Sequence, residues 1–114
     1  MSITMAISTD DRSLAFRLLD AHTSLESGAR AALPSGGTIQ YQGALVRKSF
    51  DFTPVLQFVI DTTKDIDVGL FSAWLYDKVK NSRVQSITIN SRTVDEITED
   101  GIRRTFEEQI RIEQ

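Results

Sequence analysis

Apolar residues take every second position at the start of the chain, with Ile3, Met5 and Ile7 alternating against Ser2, Thr4, Ala6 and Ser8. That is the period of a strand with one buried and one wet face. Val55-Leu56-Gln57-Phe58-Val59-Ile60 reads differently, because it is apolar on both alternating faces. Such a run is expected in the middle of a sheet, covered on each side. Beyond it, Leu70, Phe71, Trp74, Leu75 and Val79 recur at intervals of three and four, which lays one apolar stripe along a helix. Val84 to Ile89 returns as a strand, and Asn90-Ser91 before Arg92-Thr93-Val94 suits a two-residue hairpin turn.

The remaining segments are read around these. Thr9 or Asp10 can cap a helix, and the acidic pair Asp10 and Asp11 suits its positive end. Leu14, Leu18, Ala21, Leu25 and Ala32 fall at four-three-four-seven spacing, so the pattern predicts a helix along most of Asp11 to Leu33, weakened in its second half by Gly28. Pro34-Ser35-Gly36-Gly37 has loop composition and is the expected hinge or binding loop. Thr38 to Val46 is expected as a strand bulged at Gly43. Arg47-Lys48-Ser49 turns the chain towards the central strand, with Phe50 and Phe52 leading in and Pro54 near its start. Thr98 caps a last helix whose first turn holds Glu99 and Asp100, whose narrow apolar face is Ile102, Phe106 and Ile110, and whose Glu107 precedes Arg111 by the favourable four residues.

The order is β-α-β-β-α-β-β-α. It predicts an α+β two-layer sandwich with a ferredoxin-like β-α-β-β-α-β core and an added C-terminal short strand and helix, the helices lying mostly on one face. A second apolar face on the Val55 to Ile60 strand strains that picture unless another element or subunit covers it.

Composition narrows the class. At 114 residues the chain is expected to be one domain, 1–114, able to bury roughly 65% of its unfolded surface without metal or disulfide. Its lack of cysteine excludes disulfides, thiolate metal sites and a thiol nucleophile. The first eight residues lack the basic and apolar regions of a secretory leader, and no run approaches the ~20 apolar residues of a membrane span, so a cytoplasmic location and no membrane partner are expected. A formal net charge of -3 and a pI near 5.1 argue against a broad nucleic-acid surface.

Candidate chemistry is sparse. Asp61, Asp65 and Asp67 lie where α/β sheets often place ligands, and three carboxylates suit Mg²⁺, yet turn and helix-cap roles are their commoner use. His22 is the sole histidine, so any histidine-based site rests on one residue of a helix. No nucleophile elbow or phosphate loop is present. Trp74 and Tyr76 near Lys78, Lys80 and Arg83 have the residue types of a single-strand nucleic-acid platform, but helical spacing puts Trp74 on the buried stripe. No catalytic residue, metal or cofactor is therefore expected.

Asp67-Val68-Gly69-Leu70-Phe71-Ser72-Ala73-Trp74-Leu75, a basic stretch, and then Ile87-Thr88-Ile89-Asn90-Ser91-Arg92-Thr93-Val94 resemble the helix-and-hairpin half of the small effector-associated constant component domains of bacterial conflict systems. The resemblance covers about the second half of the chain. It implies a non-enzymatic adaptor that couples to effector or protease partners, with no catalytic residue to carry over.

The expectation is thus a protein that binds protein and catalyses nothing. An inhibitor or immunity-type protein with one tight, salt-sensitive partner is one rival, and a small Mg-dependent enzyme using Asp61, Asp65 and Asp67 is another. A homodimer is also expected, because the first helix carries Phe16 and Leu19 beside its main stripe. Phe16, Leu19, Phe106 and Ile110 are the expected interaction surface, unless the two helices instead meet through them and close the monomer.

Overall fold

The computed structural model of the chain describes residues 2–11, 13–20, 26–46, 53–62 and 66–113. Its elements are β1 (Ser2–Thr9), α1 (Ser13–Leu19), β2 (Arg30–Ala32), β3 (Thr38–Val46), β4 (Pro54–Asp61), α2 (Val68–Val79), β5 (Val84–Ile89), β6 (Arg92–Thr93) and α3 (Glu99–Glu113). The strands form one six-stranded antiparallel sheet in the order β2-β3-β4-β1-β5-β6. The fold is α+β, and the Val55 to Ile60 strand is internal as its sequence predicts, lying between β3 and β1.

Period-two alternation decides which residues leave water. Ile3, Met5 and Ile7 of β1, Leu56, Phe58 and Ile60 of β4, Ile39 of β3 and Ile87 and Ile89 of β5 are all buried in one cluster with residues of the three helices. The helices therefore share one side of the sheet. α2 contributes Phe71, Leu75 and Val79, and α3 contributes Ile102 and Phe106, with Phe71 and Phe106 stacked at a centroid distance of 4.2 Å. Burying an aromatic ring of this size contributes roughly 1.5–3 kcal/mol.

Local chemistry sets the boundaries. Asp67 caps α2 by accepting from the Leu70 N–H at 3.0 Å, and Thr98 caps α3 by accepting from the Gly101 N–H at 3.0 Å. Asn90 and Ser91, both at positive φ (50° and 67°), make the tight turn between β5 and β6, as that pair predicts. The β3 register shifts between Tyr41 and Gly43, and Gly43 has φ 113°, so the predicted bulge forms there.

The first helix departs most from expectation. Instead of running from Asp11 to Leu33 it ends at Leu19; Asp20 has φ 53°, and Gly28 has φ 97° with its N–H donating to the Tyr41 carbonyl at 2.7 Å. Arg30–Ala32 becomes an edge strand on β3. A left-handed Gly28 cannot continue a right-handed helix, and Pro34 pushes Leu33 towards an extended backbone. Ala21, His22 and Leu25, on which the longer pattern depended, lie outside the described residues, as do Asp65, the Arg47-Lys48-Ser49 turn, Phe50 and Phe52. Leu70 also departs from its predicted stripe and is exposed. In α3 the ion pair is Arg103 with Asp100 at 2.5 Å, rather than Glu107 with Arg111, among the described residues.

Candidate interaction face

Among the described residues, the helices cover β4 on one side only. Leu56, Phe58 and Ile60 are buried under the helices, while Val55, Gln57 and Val59 are half-buried on the opposite side. Register alignment then defines a whole open face. Val59 lies beside Thr4 and Gln40; Gln57 beside Ala6 and Gly43, with Thr88 beyond Ala6; Val55 beside Ser8 and Leu45, with Ser86 beyond Ser8. All of these are serine, threonine, glutamine, glycine or aliphatic residues. On the four inner strands of this face only Asp61, at the end of β4, carries charge, and its carboxylate accepts from the Ser2 hydroxyl at 2.6 Å. Arg30 of the edge strand β2, in register with Gln40, stands at the rim of the same face. A quarter of the whole chain is charged, so the neutrality of the centre of this face is a property of this side and not of the composition.

The face has relief. Ala6, the smallest side chain between Gln57 and Thr88, floors a depression of about 410 Å³ also lined by Thr4, Gln42 and Val59. Leu45 stands at the other side of β4, 53% exposed. Just past the end of β5, Asn90 is tied to β1: its Oδ1 accepts from the Thr4 N–H at 2.9 Å and its own N–H donates to the Thr4 carbonyl at 2.8 Å. That side chain adds a rung to the β1–β5 ladder.

The residues expected to form an interaction surface are placed elsewhere. Phe106 and Leu19 are buried, and Phe16 and Ile110 are half-buried, Ile110 packing on the core. The short α1 packs its apolar side, Leu14, Ala15, Leu18 and Leu19, into the monomer's own core. Trp74 is half-buried against the core and tilted on Phe71 at 5.9 Å. Its neighbouring cation Lys80 pairs with Asp77 at 3.0 Å, and Arg83 pairs with Asp10 at 3.1 Å.

Of the predicted carboxylate trio, Asp65 lies outside the described residues. Asp67 is occupied as a helix cap and Asp61 with Ser2; among the described residues no group of three or more histidine, cysteine, aspartate or glutamate side chains is placed to share a metal ion. The glycine-rich loop is a structural corner. Ser35 is buried and its carbonyl accepts from the Asp67 N–H at 2.9 Å, while Gly37, at φ 84°, passes so close to β4 that a Cβ there would lie 2.3 Å from the Asp61 carbonyl oxygen.

Two further surfaces have polar linings. Between β6 and α3, a groove of about 340 Å³ is lined by Arg92, Arg104, Asp95, Glu96 and Glu108, where mixed signs offset one another. At the start of α1, Asp11 accepts from the Ser13 hydroxyl at 2.5 Å and pairs with Arg17 at 3.2 Å, and Arg17 also donates to the Ser82 hydroxyl. The Ser13 hydrogen bond, with help from Ser82 and Arg17, holds the Asp11 carboxyl below the usual carboxylate value against an opposing desolvation effect. This cluster ties α1 to the turn before β5. Among the described residues no helix is long and apolar enough to cross a membrane.

No family model, curated protein or solved structure matches the chain.

Proposed function

We propose that the chain is a non-enzymatic, adaptor-type protein-protein interaction module that recognises its partner with the open face of its sheet. The observation that carries this reading is the continuous uncharged surface of Thr4, Ala6, Gln57, Val59 and Thr88 on a protein with charge over much of its remaining exterior. The four inner strands of the face offer no cation for phosphate and no aromatic ring for base stacking, and Arg30 stands at the β2 edge, so nucleic acid is a poor fit. The strand order β3-β4-β1-β5, with α1 and α2 on one side, supports a ferredoxin-like β-α-β-β-α-β core to which β2, β6 and α3 are added. The helix-and-hairpin resemblance supports a cytoplasmic role in a bacterial conflict system, with α2 and the β5–β6 turn as the shared part.

A neutral face discriminates this reading from that of an inhibitor for a basic enzyme. Association through it is nearly independent of ionic strength, whereas an acidic inhibitor loses affinity as salt screens its charges. The test is quantitative capture from the native host at 50 and 500 mM salt, with wild-type chain, Thr88→Arg on the open face, and Glu107→Arg on α3. Loss of the partner with Thr88→Arg alone, at either salt, is the expected result. A partner that survives Thr88→Arg, or leaves at 500 mM salt, overturns the reading.

A further inference from the structure

The open face carries both halves of a self-complementary contact. Leu45 projects from β3, 53% exposed, while the depression floored by Ala6 lies across β4 on β1. Two interstrand spacings and two residues along a strand separate them, about 12 Å by standard sheet dimensions. A twofold axis lying between two such faces and crossing over β4 between Val55 and Gln57 sets each Leu45 over the other copy's Ala6. An isologous interface requires this reciprocity, in which residue i meets j and j meets i.

We infer that a second copy of this chain packs face to face on the open sheet, each Leu45 seated in the Ala6 depression of the other. The inference rests on the reading of this face as a protein-binding surface and names its occupant. Charge favours a second copy here over pairing through the helices. Self-association on the helical side would bring Arg103, Arg104, Glu107 and Glu108, all exposed, out of water, and buried charge is costly unless paired with good geometry. The open face needs no such desolvation in its centre. Area is sufficient as well: the face spans six strands, about 24 Å at ~4.8 Å spacing, by a strand length of roughly 22 Å. With the corners missing where β2 and β6 are short, that is about 500 Å² per copy before corrugation is counted, so some 1,000 Å² in total, the lower bound of a specific interface.

The experiment is sedimentation of the full chain from about 5 to 200 µM. Wild type is expected to approach twice the 12.8 kDa chain mass as concentration rises. Leu45→Asp and Ala6→Lys are each expected to raise the dimer dissociation constant at least tenfold, with unchanged circular dichroism because neither position belongs to the buried core. The double variant Leu45→Asp with Ala6→Lys places opposite charges at both reciprocal contacts and is expected to regain dimer. Should Ala6→Lys fold poorly, Gln57→Lys tests the same site. A wild-type monomer at 200 µM overturns the inference, and so does a dimer indifferent to both single variants. If the monomer nevertheless captures a host protein that Thr88→Arg releases, the second copy is wrong and the protein-binding face stands. If the monomer captures nothing, both fail.

Discussion

Each inner strand of this sheet belongs to two environments at once, and the contrast between them is the chief lesson of the fold. On β1, Ile3, Met5 and Ile7 face the helices and are at most 2% exposed, while Thr4, Ala6 and Ser8 face the other way. On β4, Leu56, Phe58 and Ile60 are buried and Val55, Gln57 and Val59 are half-buried. The covered side holds large apolar groups that interdigitate at interior density. The open side holds small, neutral groups that tolerate water yet cost little to dehydrate. A surface selected only for solubility would carry charges at such positions, as the outer sides of α2 and α3 do.

Substitution can break or sharpen that contrast. The largest effect is expected on the covered side, where Phe58→Ala should lower unfolding free energy by about 3–5 kcal/mol, while its neighbour Gln57→Ala changes it by no more than about 0.5 kcal/mol. Urea denaturation of the pair checks this, and equal costs would mean that the two faces do not differ as described. Next come the close approaches around the helical layer. A Cβ on Gly101 would stand 2.1 Å from the Glu96 carbonyl oxygen, so Gly101→Ala should cost about 1–3 kcal/mol through forced displacement. A thermal melt unchanged from wild type would show that the segment before α3 yields freely. Smaller still, Asp67→Ala removes the α2 cap and should cost about 1 kcal/mol, whereas Asp67→Asn, which keeps the acceptor, should cost less.

The smallest expected effect is electrostatic. The fold lowers the Asp11 carboxyl from its ordinary value of 3.8, so it favours the charged form. This contribution is complete above the unfolded value and is lost as pH falls through the lower folded one. Asp11→Asn should therefore leave stability less steep in acid below about pH 4. Arg17 is exposed enough for water to screen its pairing, so Arg17→Ala is expected to change stability by under about 1 kcal/mol. An acid limb identical in wild type and Asp11→Asn would show that the carboxyl is unperturbed.

Legibility followed how local the cause was. The Asn90-Ser91 turn, the Gly43 bulge and the caps at Asp67 and Thr98 each arise from a few adjacent residues, and each was readable. The first helix was overextended because Leu14 and Leu18 begin a regular spacing that Ala21 and Leu25 continue on paper. The competing signals, Gly28 and the Leu33-Pro34 pair, are single residues whose backbone demands outweigh a pattern. β2 had no signal of its own, since three residues without large apolar groups become a strand only by pairing with β3. The open face was concealed because Val55 and Val59 look like core when read within β4 alone. Their setting is decided by Thr4, Ala6 and Ser8, more than 40 positions earlier in the chain, and that alternation was visible from the start. The pattern along α3 makes Phe106 apolar-facing but leaves open whether it meets a partner or the monomer's own core, because its stacking partner, Phe71, lies on another helix.

The position of β1 has a consequence in time. It is the first strand made and sits in the middle of the sheet, yet Ser2 pairs with Asp61 and Met5 with Ile89. At ordinary rates of synthesis, about 5–20 residues per second, its second neighbour emerges several seconds after it does. During that interval Ile3, Met5 and Ile7 have no lasting place to go, and the centre of the domain waits for nearly the whole chain. Pairings this distant in sequence are slow to close, so the nascent polypeptide is at its stickiest while β5 is still being translated.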